Sequence, residues 1–124
     1  MRSAYGTQLE ALTAQLVEMC QSAAVAMDNA THALLQADLS LAEQIIGSSE
    51  AMGYAAINAE EAGLALLAMQ APIGRNLRTV VTSIQNVAEL DRMGALALHV
   101  AKIARRRHPR CACLLYTSDA ADDS

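Results

Sequence analysis

Few side chains in this 124-residue sequence stand at spacings that could do chemistry. The densest polar grouping is Glu89-Leu90-Asp91-Arg92, preceded by Arg75 and Arg78. Acidic residues on helices are ordinarily solvated, so the plain reading places Glu89 and Asp91 at the surface or in pairs with Arg92 and Arg78. A second grouping, Arg105, Arg106, Arg107, His108 and Arg110, invites a nucleic-acid or anionic-lipid reading. Cations at a helix C-terminus are favourable in any case, by about 0.3–1 kcal/mol each when exposed. Capping therefore accounts for the arginines in the first instance, and a docking role for them stays open. His32 and His99 have no second His and no Cys three or four positions away, which leaves them as surface or core-edge histidines. Cys20 follows Met19 with no Cys or His at motif spacing, and reads as a small buried hydrophobe. Met19, Met27, Met52, Met69 and Met93 read as core filler. There is no glycine-rich phosphate loop after a strand and no nucleophile–base set, so an enzyme is not expected.

Three long periodic segments must position these groups. Leu9, Leu12, Leu16, Met19, Ala23, Ala26, Ala30 and Leu34 recur at three- and four-residue steps, an apolar stripe on one helical face. Asp38 offers a side-chain acceptor for the free N–H groups opening the next helix, so the connection is short and the two helices run antiparallel. The second stripe is Leu41, Ile45, Ser48, Met52, Ala55, Ala59, Ala62, Leu66 and Met69. Gly47, Gly53 and Gly63 interrupt this segment at about 1 kcal/mol each relative to Ala, which predicts a helix that bends or frays. Pro72 marks its end or the first turn of the third helix. There Leu77, Val80, Ile84, Val87, Gly94, Leu98 and Ala101 trace the inner face, and Pro109 closes the segment. The pattern predicts helices over about 3–37, 39–70 and 73–108, each roughly 50 Å long. The fold class is all-α: an antiparallel three-helix bundle occupying residues 1–110.

Composition agrees with this. Hydrophobic residues make up 53% of the chain, with no Phe or Trp and only Tyr5, Tyr54 and Tyr116 as aromatics. Ala and Leu lose little rotamer freedom in a helix and let helices approach closely. From Cys113 the pattern stops, and Cys-Leu-Leu-Tyr-Thr-Ser-Asp-Ala-Ala-Asp-Asp-Ser resembles a translated transposon-adapter sequence. Residues 111–124 are therefore expected to be a non-native or disordered tail, with the natural protein continuing beyond Arg110. The formal charge is −4, but Asp119, Asp122 and Asp123 belong to that tail, which leaves the body at about −1. A near-neutral body makes no case for a nucleic-acid partner. Apolar stretches are too short for membrane insertion, no secretory signal is present, and Cys20 alone remains in the body, so a soluble cytoplasmic protein is expected.

Within the third segment, Pro72-Ile73-Gly74-Arg75-Asn76-Leu77-Arg78 is followed by Glu89-Leu90-Asp91-Arg92-Met93-Gly94 and by Leu98-His99-Val100-Ala101-Lys102-Ile103-Ala104. In that order the chain resembles the PhoU family, whose bundles show a Pro-small-Asp-Leu-Arg opening and a later acidic-Arg-Ile-Gly-Asp stretch. Ala37-Asp38-Leu39 and Leu66-Leu67-Ala68-Met69-Gln70-Ala71-Pro72 fit as well, and the run ending Arg105-Arg106-Arg107-His108-Pro109 is similar to actinobacterial members. The resemblance covers about residues 1–108. It implies one of two three-helix halves, a cytoplasmic regulator of phosphate uptake, and no catalysis. It implies negative regulation of phosphate-starvation signalling through contact with a phosphate ABC transporter ATPase and a sensor histidine kinase, and a homo-oligomer, typically a homodimer. Arg78, Asp91 and Arg92 are the partner-binding candidates.

Some family members bind iron or zinc clusters through an acidic-x-x-x-Asp motif. Carboxylates four apart on a helix share a face and can grip one metal or bridge two. Here Asp91 holds the first place, but Ala95 stands at the second, and Asn76 replaces the Asp of the opening element. Two carboxylates are missing, so no cofactor is assigned to this half. A metal-cluster-binding bundle and a purely structural interaction module are the alternatives. The ordered Pro72–Arg78 and Asp91–Gly94 elements, which packing does not require, favour the regulator.

Overall fold

The structure, a computed structural model, describes residues 3–111. Three helices account for nearly all of them: α1 (Ala4–Gln36), α2 (Leu39–Gln70) and α3 (Gly74–Arg107). The fold is an all-α three-helix bundle, with no strand among the described residues. Of the expected tail, residues 112–124 lie outside the described residues.

Local chemistry sets the helix ends. Ser3 caps α1, its Oγ accepting the Gly6 N–H at 3.0 Å. Between α1 and α2 only Ala37 and Asp38 intervene. Ala37 takes the left-handed conformation (φ 54°), which lets the Asp38 N–H reach back to the Ala33 carbonyl at 3.0 Å. Asp38 then turns its carboxylate onto the Leu41 N–H at 3.0 Å while its own carbonyl accepts the Ala42 N–H. One residue thus completes the end of one helix and the start of the next, as its position in the sequence suggests. Pro72 falls in the second connection, between Gln70 and Gly74, where its missing N–H costs no helical bond.

The chain forms two compact units. The first joins α1 through Ala23 with Glu50–Arg92. Leu12, Met19, Ala56, Ala59, Leu66, Val80 and Val87 are its buried core, flanked by Tyr5, Leu9, Leu16, Ile84 and Leu90. The Tyr5 hydroxyl donates to the Asn76 carbonyl at 3.2 Å, tying the start of α1 to the start of α3. The second unit joins Ala24–Ser49 with the chain from Met93 onward. Ala33, Ala42 and Ala104 make a small-residue core there, with Leu34 and Leu41 against it.

Several expected positions differ. In α2 the buried residues are Ala42, Ile45, Ala56, Ala59 and Leu66, with Gly63 among them, whereas Ala55 and Met69 are exposed. Ile45, Ala59 and Leu66 are buried as expected, but Ala42, Ala56 and Gly63 take the places expected of Leu41, Ala55 and Ala62, since apolar periodicity gives no weight to a glycine that packs closely on α3. A Cβ built on Gly63 would lie 2.6 Å from Cγ1 of Ile84. Nor does α2 fray at its glycines: it is continuous from Leu39 to Gln70, since its packed face outweighs their propensity cost. Cys20 is exposed rather than buried, because Met19 takes the seam and the next residue is turned about 100° away. Met69 (75% exposed) and Met93 (40%) are not core filler, and Leu77 lies at the rim, the α3 seam beginning at Val80.

Candidate functional site

The third helix carries the candidate residues and α1 and α2 hold it by its inner face. Val80 and Val87 are buried on that face, and Ser83 between them satisfies its hydroxyl on the Thr79 carbonyl at 2.9 Å. With the seam so fixed, Arg78, Asp91 and Arg92 are all turned to solvent. Arg78 and Arg92 are fourteen residues apart, which is about 21 Å along the axis and only some 40° around it. They therefore stand on one outer face of α3. Asp91, one residue before Arg92, is rotated about 100° off that line.

The expected ion pairs resolve differently for each residue. Arg92 Nη2 lies 3.4 Å from Glu89 Oε1, with both side chains more than 60% exposed. Such a contact contributes about 0–1 kcal/mol and leaves the guanidinium free to exchange partners. Arg78 and Asp91 are about 20 Å apart along the same helix and do not meet. Arg78 therefore presents an exposed cation with no ion pair among the described residues.

The carboxylate motif gathers too few donors for a metal cluster. Asp91 and Ala95 are one turn apart, both exposed, and a methyl group stands where the second carboxylate would be. Asn76 lies some 22 Å down the helix from Asp91, too far to share a site with it. Among the described residues, no three His, Cys, Asp or Glu side chains cluster as metal ligands. Among the described residues, Asp91 stands without the second carboxylate that an iron or zinc cluster would need there. His32 and His99 are exposed and belong to no such cluster among the described residues.

Two contacts were invisible in the sequence: Tyr5 with Asn76, and the His108 ring, whose Nδ1 lies 3.2 Å from the Ala37 carbonyl. Each joins residues 71 positions apart, and neither carries a local spacing signal. Among the described residues, no helix is long and apolar enough to cross a membrane.

Residues 16–104 match the model of a family described as the PhoU domain. The chain is 58% identical over 110 residues to phosphate-specific transport system accessory protein PhoU homolog 2 of Mycobacterium tuberculosis, an alignment covering 89% of this chain and 52% of that protein. It is 57% identical to PhoU homolog 1 of Mycobacterium leprae, covering 89% of this chain and 50% of the relative. A PhoU homolog of Rhizobium meliloti is 30% identical over 100 residues, 81% of this chain and 42% of its own length. The chain spans about half the length of the curated relatives it matches. No solved structure matches.

Proposed function

This chain belongs to the PhoU family, and from that premise we propose that it acts as a non-catalytic accessory of phosphate-specific transport in the cytoplasm. It restrains phosphate-starvation signalling by touching two proteins, the ATPase subunit of a phosphate ABC transporter and a phosphate-sensing histidine kinase. The observation that carries this reading is the family match across 16–104, which takes in most of all three helices. The names of the relatives, accessory proteins of phosphate-specific transport, support the transporter as partner.

The outer face of α3 is the contact surface in this reading. Arg78 and Arg92 are exposed, aligned and weakly engaged, so each can give its guanidinium fork to a partner carboxylate without first breaking a strong bond. Asp91, turned about 100° from Arg92, offers the opposite charge at the edge of this face, so that register on the partner is fixed by sign as well as by shape. Two copies of the chain assembling as a homo-oligomer would present two such faces.

Affinity capture tests the proposal. The tagged chain, incubated with lysate of phosphate-limited bacteria, should retain the transporter ATPase, the kinase or both. Replacing Arg78 and Arg92 together by Ala should abolish that recovery while leaving the helical circular-dichroism spectrum unchanged. Recovery of neither protein by the folded chain would sink the adaptor reading.

A further inference from the structure

At the far end of α3, a different set of charges surrounds an open cleft of about 310 Å³, lined by Arg106, Arg107, His108, Pro109 and Arg110. Its geometry follows from two contacts. The Arg110 N–H donates to the Arg107 carbonyl at 2.7 Å, which curls the chain back after the helix ends. The His108 ring rests against the Ala37 carbonyl at the α1–α2 turn, anchoring the same segment from the other side. Arg110 consequently lines the same cleft as Arg106 and Arg107 instead of following the helix axis away from them.

Helix capping explains only part of this arrangement. Arg105, Arg106 and Arg107 occupy the last turn, where cations complement the helix dipole. Arg110 lies beyond the helix, outside the turn over which that effect operates, and still joins the cluster. Among the described residues, Arg106, Arg107 and Arg110 form no ion pair. The acidic residue at the neighbouring turn, Asp38, is committed to the Leu41 N–H. Lys102, Arg105, Arg106, Arg107 and Arg110 in this unit stand against only Asp28, Asp38 and Glu43 among its described residues. Among the described residues of this unit, basic side chains thus outnumber acidic ones by five to three.

From the cleft and the arginines that line it we infer that the α3 terminus binds a polyphosphate group, such as a di- or triphosphate, held by Arg106, Arg107 and Arg110. Arginine presents a planar fork of donors, so three arginines lining one cleft can serve several phosphate oxygens at once, which a single carboxylate cannot supply. The volume is about ten times the ~30 Å³ share of one water molecule, so the cleft accommodates a polyatomic anion and not merely a halide. The site lies on a different part of α3 from the Arg78–Arg92 face and does not depend on the adaptor role.

Isothermal titration of the whole chain with inorganic triphosphate, in parallel with flotation on phosphatidylinositol-bisphosphate vesicles, tests this site and identifies the source of the phosphate group. The expected result is saturable binding that falls about tenfold or more in R106Q/R107Q and in R110Q, but less than twofold in R75Q, which removes one charge elsewhere. Triphosphate binding with those losses supports a free ligand. Vesicle binding alone with the same losses supports a lipid headgroup carrying the same chemistry. Absence of binding to both probes, or equal losses in R75Q, would overturn the inference. Circular dichroism of each variant separates loss of the site from loss of the fold.

Discussion

Adding one methyl group at Gly63 offers a sharp test of how α2 and α3 pack. In a helix interior, Gly→Ala stabilises by about 1 kcal/mol through backbone entropy. At Gly47 and Gly53 a built Cβ meets nothing within 4 Å, so that gain should appear undiminished. At Gly63 the new methyl would sit 2.6 Å from Ile84 Cγ1 and 3.2 Å from its Cδ1. Cγ1 is next to the Ile84 Cβ and cannot swing away without a change of χ1, which a β-branched residue in a helix strongly resists. Overpacking of this kind costs about 1–3 kcal/mol. Subtracting the propensity gain, Gly63→Ala should be neutral to about 2 kcal/mol destabilising, whereas Gly53→Ala should stabilise by about 1 kcal/mol. Urea unfolding followed by circular dichroism reads both as shifts in midpoint at constant slope. A double-mutant cycle with Ile84→Ala, which removes the clashing atoms, should recover a coupling of 0.5 kcal/mol or more. Equal stabilisation by Gly63→Ala and Gly53→Ala, with no coupling to Ile84, would refute the close approach.

Three further outcomes follow from particular contacts. Asp38→Ala removes the side-chain acceptor of the Leu41 N–H and should cost about 1 kcal/mol of stability, measured by the same unfolding curves. The chain purified in metal-free buffer should carry no stoichiometric iron or zinc by elemental analysis, and Ala95→Asp, which places a carboxylate one turn from Asp91, should increase metal retention after loading. The side chains of Ile73 (81%), in the second connection, and Met69 (75%), just before it, are exposed, so the chain should self-associate at high concentration; a single sharp monomer peak in sedimentation velocity would contradict this.

Much of the fold was legible because helical periodicity is a property of residue types along the chain. The α1 stripe from Leu12 to Ala30 and the Asp38 cap could be read directly, since each depends on neighbours three or four residues away. In α2 periodicity finds Ile45, Ala59 and Leu66 but picks Ala62 in place of Gly63, because a glycine contributes no hydrophobicity although its value lies in the space it leaves for Ile84. Cys20 and Met69 were assigned to the interior by residue type, yet their places around the helix turn them outward. Of the candidate site, the Glu89–Arg92 pair was local and therefore legible, and the sequence alone exposed the gap at Ala95. The supposed Asp91–Arg78 pair failed on distance along one helix. The basic cleft was half visible: the arginines were plain, but His108 reaching Ala37 required the tertiary fold to bring together residues 71 apart.

The adaptor account stands most directly on one binding isotherm. Purified phosphate-transporter ATPase subunit, immobilised for interferometry, should bind this chain saturably at low salt. The Arg78→Ala/Arg92→Ala variant should bind at least tenfold more weakly, a loss of 1.4 kcal/mol or more shared between two charge-assisted contacts. Binding undiminished in that variant would remove the contact from the outer face of α3. No binding by a chain shown to be folded would contradict the account itself.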